Sequence, residues 1–224
     1  NVPYFLNDLR WGKRIGDIVL KDIMVVSCPY TGEPRAVQAG KGAVKYDISR
    51  EMQDIWAFGS QKKYAAAEAA GKFDDEIVSV VLKDKKGREI VIDKDQSPRP
   101  ETTIEGLAKL PTVYGSPTVT AGNAPGLSTG AAMVTLMSRE EAVKRGLKPL
   151  ATIIGHAQAS GHPDGIASIP AEAAKKALQK ANLTIDQIQL IEVNEAFAVM
   201  PLVTTKILGE GNEEKVEALR KITN

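Results

Sequence analysis

The sequence is poor in cysteine, in aromatic side chains and in long apolar runs, and its charges nearly cancel. Cys28 is the only cysteine among 224 residues. This excludes an internal disulfide framework and suits a reducing compartment, the cytoplasm or an organelle matrix. No apolar stretch approaches the roughly 20 residues that span a bilayer, so no membrane segment is expected. The net charge of +1 offers nucleic acid no general attraction, so a polyanionic ligand must be met by a local cation.

What is present is a globular composition, with 43% hydrophobic and 25% charged residues. Glycine and proline are frequent in residues 1–48, which predicts an irregular, loop-rich region. The apolar spacing that follows Ser49 predicts one long helix, which ends at Gly71. A chain of this length and composition can bury a substantial core.

Shorter elements are predicted between this helix and the middle of the chain. Two apolar runs within residues 77–92 flank a polar tip that contains Gly87, a pattern typical of a β-hairpin. Residues 103–110 suit a short helix. Small and β-branched residues become frequent after Pro117, and we expect a domain boundary near Leu127.

The second half alternates between strand and helix patterns. A capping box of Ser138 with Glu141 marks one helix start, and Pro170 in a first helical turn marks the next. Thr184 with Gln187 makes a second capping box before the last predicted strand. Strands are predicted at residues 131–137, 150–157 and 189–193, and helices at residues 138–146, at residues 170–181 and from Glu195 onward. Buried strands that alternate with helices indicate the α/β class with a mainly parallel sheet.

Two segments resemble the thiolase family. Residues 193–198 read Val-Asn-Glu-Ala-Phe-Ala, at the predicted end of a strand and the head of a helix. They are similar to the asparagine-containing signature loop of thiolases. Residues 118–132 are similar to the thiolase segment that leads from the coenzyme A-binding loop domain back to the sheet. Further matches occur at residues 46–51, 71–77 and 99–110, so the resemblance covers nearly the whole chain.

The resemblance implies the thiolase fold, an α/β architecture of α-β-α-β-α layers with mixed sheets and an inserted loop domain, here only partly present. By this register, residues 1–127 are the coenzyme A-binding loop domain. Residues 128–145 end the N-terminal half of the fold, and residues 146–224 are the first part of the C-terminal half. We expect the chain to be a fragment.

The implied function is that of an acyltransferase, which performs thiolysis or Claisen condensation of acyl-CoA. Acyl-CoA and CoA are the expected partners, with no tightly bound cofactor. The family also implies a homo-oligomer, a dimer or a tetramer, and residues 9–24 resemble the loop that pairs thiolase dimers. The nucleophilic cysteine, the histidine and the second cysteine of the family fall outside this chain, so we expect the chain alone to be inactive. The alternative is a non-catalytic thiolase-like carrier of an acyl or lipid ligand, or a subunit beside an active partner.

The asparagine loop supplies the one implied catalytic residue. In thiolases this asparagine, here Asn194, holds a water that stabilises negative charge on the thioester oxygen. The alternative is that Asn194 only caps a helix that begins at Glu195. Ala196 and Phe197 match positions that line the pantetheine and acyl tunnel, although Phe197 also suits an ordinary core position.

Other matched positions contact coenzyme A in the family: Arg99, Val113, Tyr114 and Ala121. The guanidinium of Arg99 suits a phosphate or the adenine ring, whereas its structural alternative is a solvated loop arginine. The sequence departs from the family at Gly106 and Pro125, where many members have serine.

The remaining reactive side chains are assigned structural roles. His162 lies in a Gly-His-Pro triplet, but this triplet precedes the asparagine loop rather than following it, so His162 is interpreted as a loop residue. His156 lies in an apolar run and is interpreted as a core histidine. Cys28 has no neighbouring base in the sequence and is interpreted as an idle, buried thiol. No clustered histidine, cysteine and aspartate set predicts a metal site.

Overall fold

The computed structural model describes residues 4–5, 12, 15–16, 18, 21–22, 28–126, 128 and 130–224. The segment 9–24, which the resemblance assigns to subunit pairing, lies largely outside the described residues, as does the boundary at Leu127. The described helices are α1 (Arg35–Lys45), α2 (Arg50–Ala69), α3 (Ile104–Ala108), α4 (Arg139–Lys144), α5 (Ile169–Ala181), α6 (Val199–Leu208) and α7 (Glu213–Lys221). The described strands are β1 (Tyr4–Phe5), β2 (Lys21–Asp22), β3 (Val80–Lys83) and β4 (Glu89–Ile92).

The main core forms where α1 packs against α6. Helix α1 contributes small side chains, Ala36, Ala39 and Ala43, while α6 contributes larger ones. Most of α6 is buried because its sequence, Val-Met-Pro-Leu-Val-Thr-Thr-Lys-Ile-Leu, has a single charged residue. That residue, Lys206, donates from Nζ to the backbone oxygen of Tyr46 at 2.7 Å. The core therefore joins the first and last thirds of the chain.

Helix α2 confirms the long helix predicted after Ser49. The Ser49 hydroxyl accepts a hydrogen bond from the Met52 backbone N–H at 3.1 Å and caps the first turn. The helix ends at Ala69, and Gly71 adopts φ +66°, as a glycine stop requires. The 20 residues of α2 make it about 30 Å long, enough to contact several separate loops.

The predicted hairpin and the short helix are also confirmed. Strands β3 and β4 are antiparallel, with Val80 opposite Ile92 and Leu82 opposite Ile90. The Asp84 carboxylate closes the hairpin turn by accepting hydrogen bonds from the Lys86 and Arg88 backbone N–H groups, at 2.8 and 2.9 Å. Helix α3 is capped by the Thr103 hydroxyl.

The three strands predicted in the second half are not formed. Residues 131–137 and 150–157 have no strand structure, and Met133 and Leu150 are almost fully exposed. From residues 189–193, only Ile191 makes a strand-like contact, a single parallel bridge to Thr223. A strand needs the backbone N–H and C=O groups of a neighbouring strand, and the described residues place none beside these segments. The helices between them are present, and the hydroxyl of Ser138 caps α4 as predicted.

The helix predicted from Glu195 begins four residues later, at Val199. The Asn194 carbonyl accepts from the Ala196 N–H at 2.8 Å, and the Ala198 N–H donates to the Asn123 carbonyl at 3.0 Å. Residues 194–198 therefore form a loop rather than a first helical turn. Within the described part of the chain, no helix has the length and apolarity needed to span a bilayer.

Candidate active site

The loop of residues 194–198 leaves the buried residue Val193 and enters α6. Val193 is fixed by its backbone N–H, which donates to Oδ1 of Asn224 at 2.9 Å. Asn194 itself is exposed. The structure contradicts the interpretation of Asn194 as a helix cap, because α6 begins at Val199 and Ala198 occupies the cap position. The Asn194 amide forms no hydrogen bond to any described residue, so it is available to a ligand.

Glu195 fastens this loop to α2. Its Oε2 accepts a hydrogen bond from Oγ of Ser60 at 2.7 Å. Burial raises the pKa of Glu195, and the hydrogen bond from Ser60 and the positive charge of Lys63 oppose the rise only in part. The buried indole nitrogen of Trp56 lies near the same carboxylate without completing a hydrogen bond to it. Sequence reasoning missed this contact, although Glu195 is the only acidic residue in the signature segment.

Asn123 fastens the other end of the loop to the same helix. It is 2% exposed, and its backbone oxygen accepts the hydrogen bond from Ala198. Its Nδ2 donates to Oδ1 of Asp54 at 3.0 Å and to the Thr118 carbonyl at 3.2 Å, while its Oδ1 accepts from the Thr120 N–H at 2.9 Å. The Nδ2 and Oδ1 atoms of this buried amide therefore both have hydrogen-bond partners.

Asp54 extends this network to α3. Its Oδ2 accepts from Nε of Arg50 at 2.8 Å, and the Arg50 guanidinium also donates to the carbonyls of Leu107 and Leu110, at 2.7 and 3.2 Å. Arg50 and Asp54 are four residues apart on α2, a spacing that the sequence displays and that could have indicated the ion pair. The Asp54 side chain is buried and that of Arg50 is partly exposed. Through these hydrogen bonds the pair holds α2, α3 and the segment before Ala124 in one arrangement.

Three of the residues matched to ligand-contacting positions lie against the main core. Val113, Ala196 and Phe197 are each partly buried and pack against the same cluster of α1 and α6 side chains. The structure thus brings Phe197 to the core, as its structural alternative predicted, and leaves part of its surface exposed. A partly exposed apolar surface of this kind suits contact with an acyl or pantetheine chain.

Tyr114 and Ala121 are exposed, and Tyr114 directly follows Val113 in the sequence. Tyr114 and Gly115 both have positive φ, +53° and +74°, and the Ser116 N–H donates to the Val113 carbonyl at 2.9 Å. These angles identify a type I′ turn, which presents the Tyr114 side chain at its tip. A Cβ at Gly40 of α1 would lie 2.6 Å from Cδ of Pro117, so the glycine permits the turn to approach α1 closely.

Arg99 lies on the surface beyond β4. Its backbone N–H donates to Oε1 of Gln61 on α2 at 2.8 Å, and its NH1 donates to the carbonyls of Gln96, Ser97 and Pro98 at 2.7 to 3.0 Å. These local bonds orient the guanidinium. Among the salt bridges of the described residues, none involves Arg99, so no carboxylate compensates its positive charge there. Ser60 and Gln61 are adjacent, and α2 therefore holds both the Asn194 loop and the Arg99 loop.

The histidines and the cysteine lie outside these contacts. His162 is exposed in a loop, as predicted, and its Nδ1 accepts from the Asp164 N–H at 3.3 Å. The prediction that His156 is a core histidine is wrong, because the strand expected around it is not formed and the side chain is exposed. Cys28 is buried, at 2% exposed, as predicted. The described residues contain no group of three or more histidine, cysteine or acidic side chains arranged to hold a metal.

The Cys28 thiol is more acidic than its sequence context suggests. Burial raises its pKa, but the backbone N–H groups of Thr31 and Tyr30 and the side chains of Gln38 and Thr31 stabilise the thiolate. Together they lower the pKa to about 7. None of these partners belongs to the loop of residues 194–198. The thiol is therefore polarised by its own turn and by Gln38 of α1 rather than by the candidate active site.

Family models assign both halves of the chain. The N-terminal domain of thiolases matches residues 1–140, and the C-terminal domain of thiolases matches residues 147–219. The chain belongs to the thiolase family. The sheets of the thiolase α/β fold are only partly represented in it, because the chain spans about half the length of the curated thiolases that it matches.

Individual thiolases agree with this assignment. The chain is 42% identical over 216 residues to acetyl-CoA acetyltransferase of Chromobacterium violaceum, a match that covers 95% of this chain and 55% of the relative. It is 42% identical to the β-ketothiolase BktB of Cupriavidus necator, over 92% of this chain and 53% of the relative. The crystal structure of Bacillus anthracis acetyl-CoA acetyltransferase superposes with a TM-score of 0.84 at 35% identity, covering 99% of this chain and 57% of that one. These solved coordinates confirm the partial thiolase fold.

Proposed function

We propose that this chain is the central part of an acyltransferase that catalyses thiolysis or Claisen condensation of acyl-CoA. The observation that carries the proposal is the loop of residues 194–198. It bears the thiolase asparagine, leaves its amide without a partner among the described residues, and is fastened to α2 through Glu195 and Asn123. A side-chain amide held in this way suits the stabilisation of an oxyanion, directly or through a water.

The cysteine chemistry must come from residues that this chain does not contain. Cys28 is the only cysteine in the sequence, and its contacts do not include the loop of residues 194–198. In the proposed condensation a cysteine thiolate attacks the carbonyl of one acyl-CoA and releases CoA. A second cysteine removes a proton from C2 of another acyl-CoA, and the resulting enolate attacks the acyl-enzyme, which forms the carbon–carbon bond and expels the first cysteine thiolate; thiolysis runs these steps in reverse. A histidine serves in oxyanion binding. Asn194 contributes to the oxyanion site. We use the term complete enzyme for a protein that contains this chain together with the two cysteines and the histidine of the proposed mechanism.

The proposed coenzyme A site comprises Arg99, Val113, Tyr114, Ala121, Ala196 and Phe197. Val113, Ala196 and Phe197 pack on the main core, which suits the pantetheine arm. Arg99 supplies the local cation that the near-neutral chain needs for a phosphate. CoA and its thioesters enter as substrates, with no tightly bound cofactor. The complete enzyme is proposed to be a homo-oligomer, a dimer or a tetramer. Residues 1–127 are proposed to form the loop domain, with 128–145 and 146–224 contributing to the two halves of the fold.

The test is thiolysis of acetoacetyl-CoA by the complete enzyme and by the 224-residue chain alone. We expect turnover by the complete enzyme and none by the chain. An inactive complete enzyme that still binds acyl-CoA would favour the carrier alternative. Turnover by the chain that depends on Cys28 would contradict the proposal, because it would require a different active site.

Binding of the phosphate end of CoA is tested separately at Arg99. Arg99→Ala should raise the KM for CoA about tenfold or more and leave kcat close to wild type, since the substitution removes a charge-assisted contact made equally in the ground and transition states. Lys94→Ala is a matched control, because Lys94 is an exposed cation in the same loop. An equal effect of the two variants would reduce Arg99 to a solvated arginine.

A further inference from the structure

The loop that carries Asn194 contains a second polar residue with a defined, partly buried environment. The Glu195 carboxylate accepts the 2.7 Å hydrogen bond from Ser60, lies near the indole of Trp56, and is close enough to Lys63 for its charge to act on the carboxylate. Lys63 is itself held by the Thr223 carbonyl at 3.1 Å and lies over the Trp56 ring. Burying a carboxylate is costly unless it is hydrogen-bonded, so this contact restricts where the loop can lie.

The loop of residues 194–198 is linked to α2 at two positions along the helix axis. Asp54, which receives Asn123, and Ser60, which donates to Glu195, are six residues apart, or about 9 Å along the helix axis. Two separated contacts limit both translation and rotation of residues 194–198 relative to α2. Asn194 directly precedes Glu195, so the backbone that carries the amide is limited with it.

We propose that Glu195 is a positioning residue for Asn194, and that the Glu195–Ser60 hydrogen bond holds the Asn194 amide where the oxyanion forms. Glu195 acts through Asn194 and takes no part in the covalent steps. The inference rests on the proposed acyltransferase function. Its consequence is that loss of the contact lowers turnover, because a catalytic group that is displaced by about 1 Å can cost up to a hundredfold in rate.

The experiment compares three variants of the complete enzyme, with acetoacetyl-CoA and CoA as substrates. Glu195→Ala removes the acceptor, Ser60→Ala removes the donor, and Glu195→Gln keeps an acceptor oxygen of nearly the same size. We expect kcat to fall by about tenfold to a hundredfold in the two alanine variants, with little change in the KM for CoA, and to be largely restored in Glu195→Gln. Glu214→Ala is the control, since Glu214 is an exposed acidic residue of α7 whose side chain bonds to no described residue.

A double-mutant cycle separates positioning from general stabilisation of the fold. In an Asn194→Ala background the catalytic amide is absent, so Glu195→Ala should lower kcat no further. Additive losses, or wild-type kcat in both Glu195→Ala and Ser60→Ala, would overturn the inference while the active wild-type enzyme upholds the proposed function. An inactive wild-type enzyme would overturn both. If Glu195→Ala fails to fold, Ser60→Ala and Glu195→Gln decide the outcome, because Ser60→Ala leaves the loop sequence intact.

Discussion

The Nδ2 atom of Asn123 donates to Oδ1 of Asp54 at 3.0 Å, with both residues almost completely buried. The other carboxylate oxygen of Asp54 accepts from Arg50. A single carboxylate therefore pairs with a cation from its own helix and with the amide that fastens the Asn194 loop. Asn194 lies in the signature loop and Asn123 in the matched segment of residues 118–132, and α2 supplies the acceptor that fixes Asn123.

Substitution of Asp54 by asparagine tests this double role. An amide has one acceptor oxygen, so its NH₂ group would face either Arg50 or Asn123, both of which are donors. We expect Asp54→Asn to lower the free energy of unfolding by about 2 kcal/mol, the range for a buried polar group that loses its partner. Chemical denaturation measures the change. Asp93→Asn is the control, because Asp93 is exposed, and an equal loss in both variants would contradict a buried network at Asp54.

The elements that could be predicted from the sequence are those with local causes. The hydroxyl cap at Ser49 and the glycine stop at Gly71 act within one or two turns of α2, and both are observed. The strand predicted at residues 131–137 depends on a neighbouring strand, which local pattern does not supply. The same limit applies to Glu195, whose partner Ser60 lies 135 positions away along the chain.

The start of α6 shows how tertiary contacts change a local prediction. Asparagine is a residue type that is common at helix N-caps, and glutamate suits a first helical turn, so the sequence at Asn194 and Glu195 predicts a helix start. The backbone of Ala198 nevertheless donates to Asn123, and the carboxylate of Glu195 turns to Ser60. These contacts with distant residues keep residues 194–198 as a loop and leave Asn194 at the surface.

The turn that presents Tyr114 is tested with a pair of glycine variants. Gly115 has φ +74°, so Gly115→Ala should destabilise the fold by about 1 kcal/mol and should raise the KM for CoA through displacement of Tyr114. Gly59 lies within α2, where a Cβ would meet nothing within 4 Å. Gly59→Ala should therefore stabilise the fold by about 0.5 to 1 kcal/mol. Thermal and chemical unfolding of the two variants should change in opposite directions, and changes of the same sign would contradict the turn geometry.

The pKa of Glu195 predicts a pH dependence of stability. Because burial raises the pKa, the folded state binds more protons than the unfolded state between the unfolded and folded pKa values. The contribution of Glu195 is therefore most favourable below its unfolded pKa and declines as pH rises through its folded pKa. We expect wild type to lose stability relative to Glu195→Gln as pH rises from about 4 toward neutrality. Denaturant midpoints at several pH values give the comparison, and a constant difference would refute the prediction.

The contribution of Cys28 to stability should change with pH in the opposite direction. Its folded pKa of about 7 lies below the ordinary value of a thiol, so the unfolded state binds more protons between these two values. Wild type should therefore gain stability relative to Cys28→Ser as pH rises from about 7 to 9, and should lose that advantage as pH falls through 7. Unfolding midpoints measured under reducing conditions test the sign. A wild-type advantage that shrinks between pH 7 and 9 would contradict the hydrogen bonds assigned to the thiolate.

Asn194 carries the sharpest prediction because its two interpretations differ on a single substitution. Asn194→Asp replaces a donor with a carboxylate, which repels the negative charge that forms on the thioester oxygen. Loss of one such donor costs about a hundredfold to a thousandfold in turnover, and we expect Asn194→Asp and Asn194→Ala both to fall in this range in the complete enzyme. Both variants should melt close to wild type, because the exposed Asn194 side chain caps no helix. Turnover with acetoacetyl-CoA and melting temperature should be measured side by side. If Asn194→Asp kept normal turnover while Asn194→Ala lost stability, Asn194 would be a structural cap, and the start of α6 at Val199 would have to be revised.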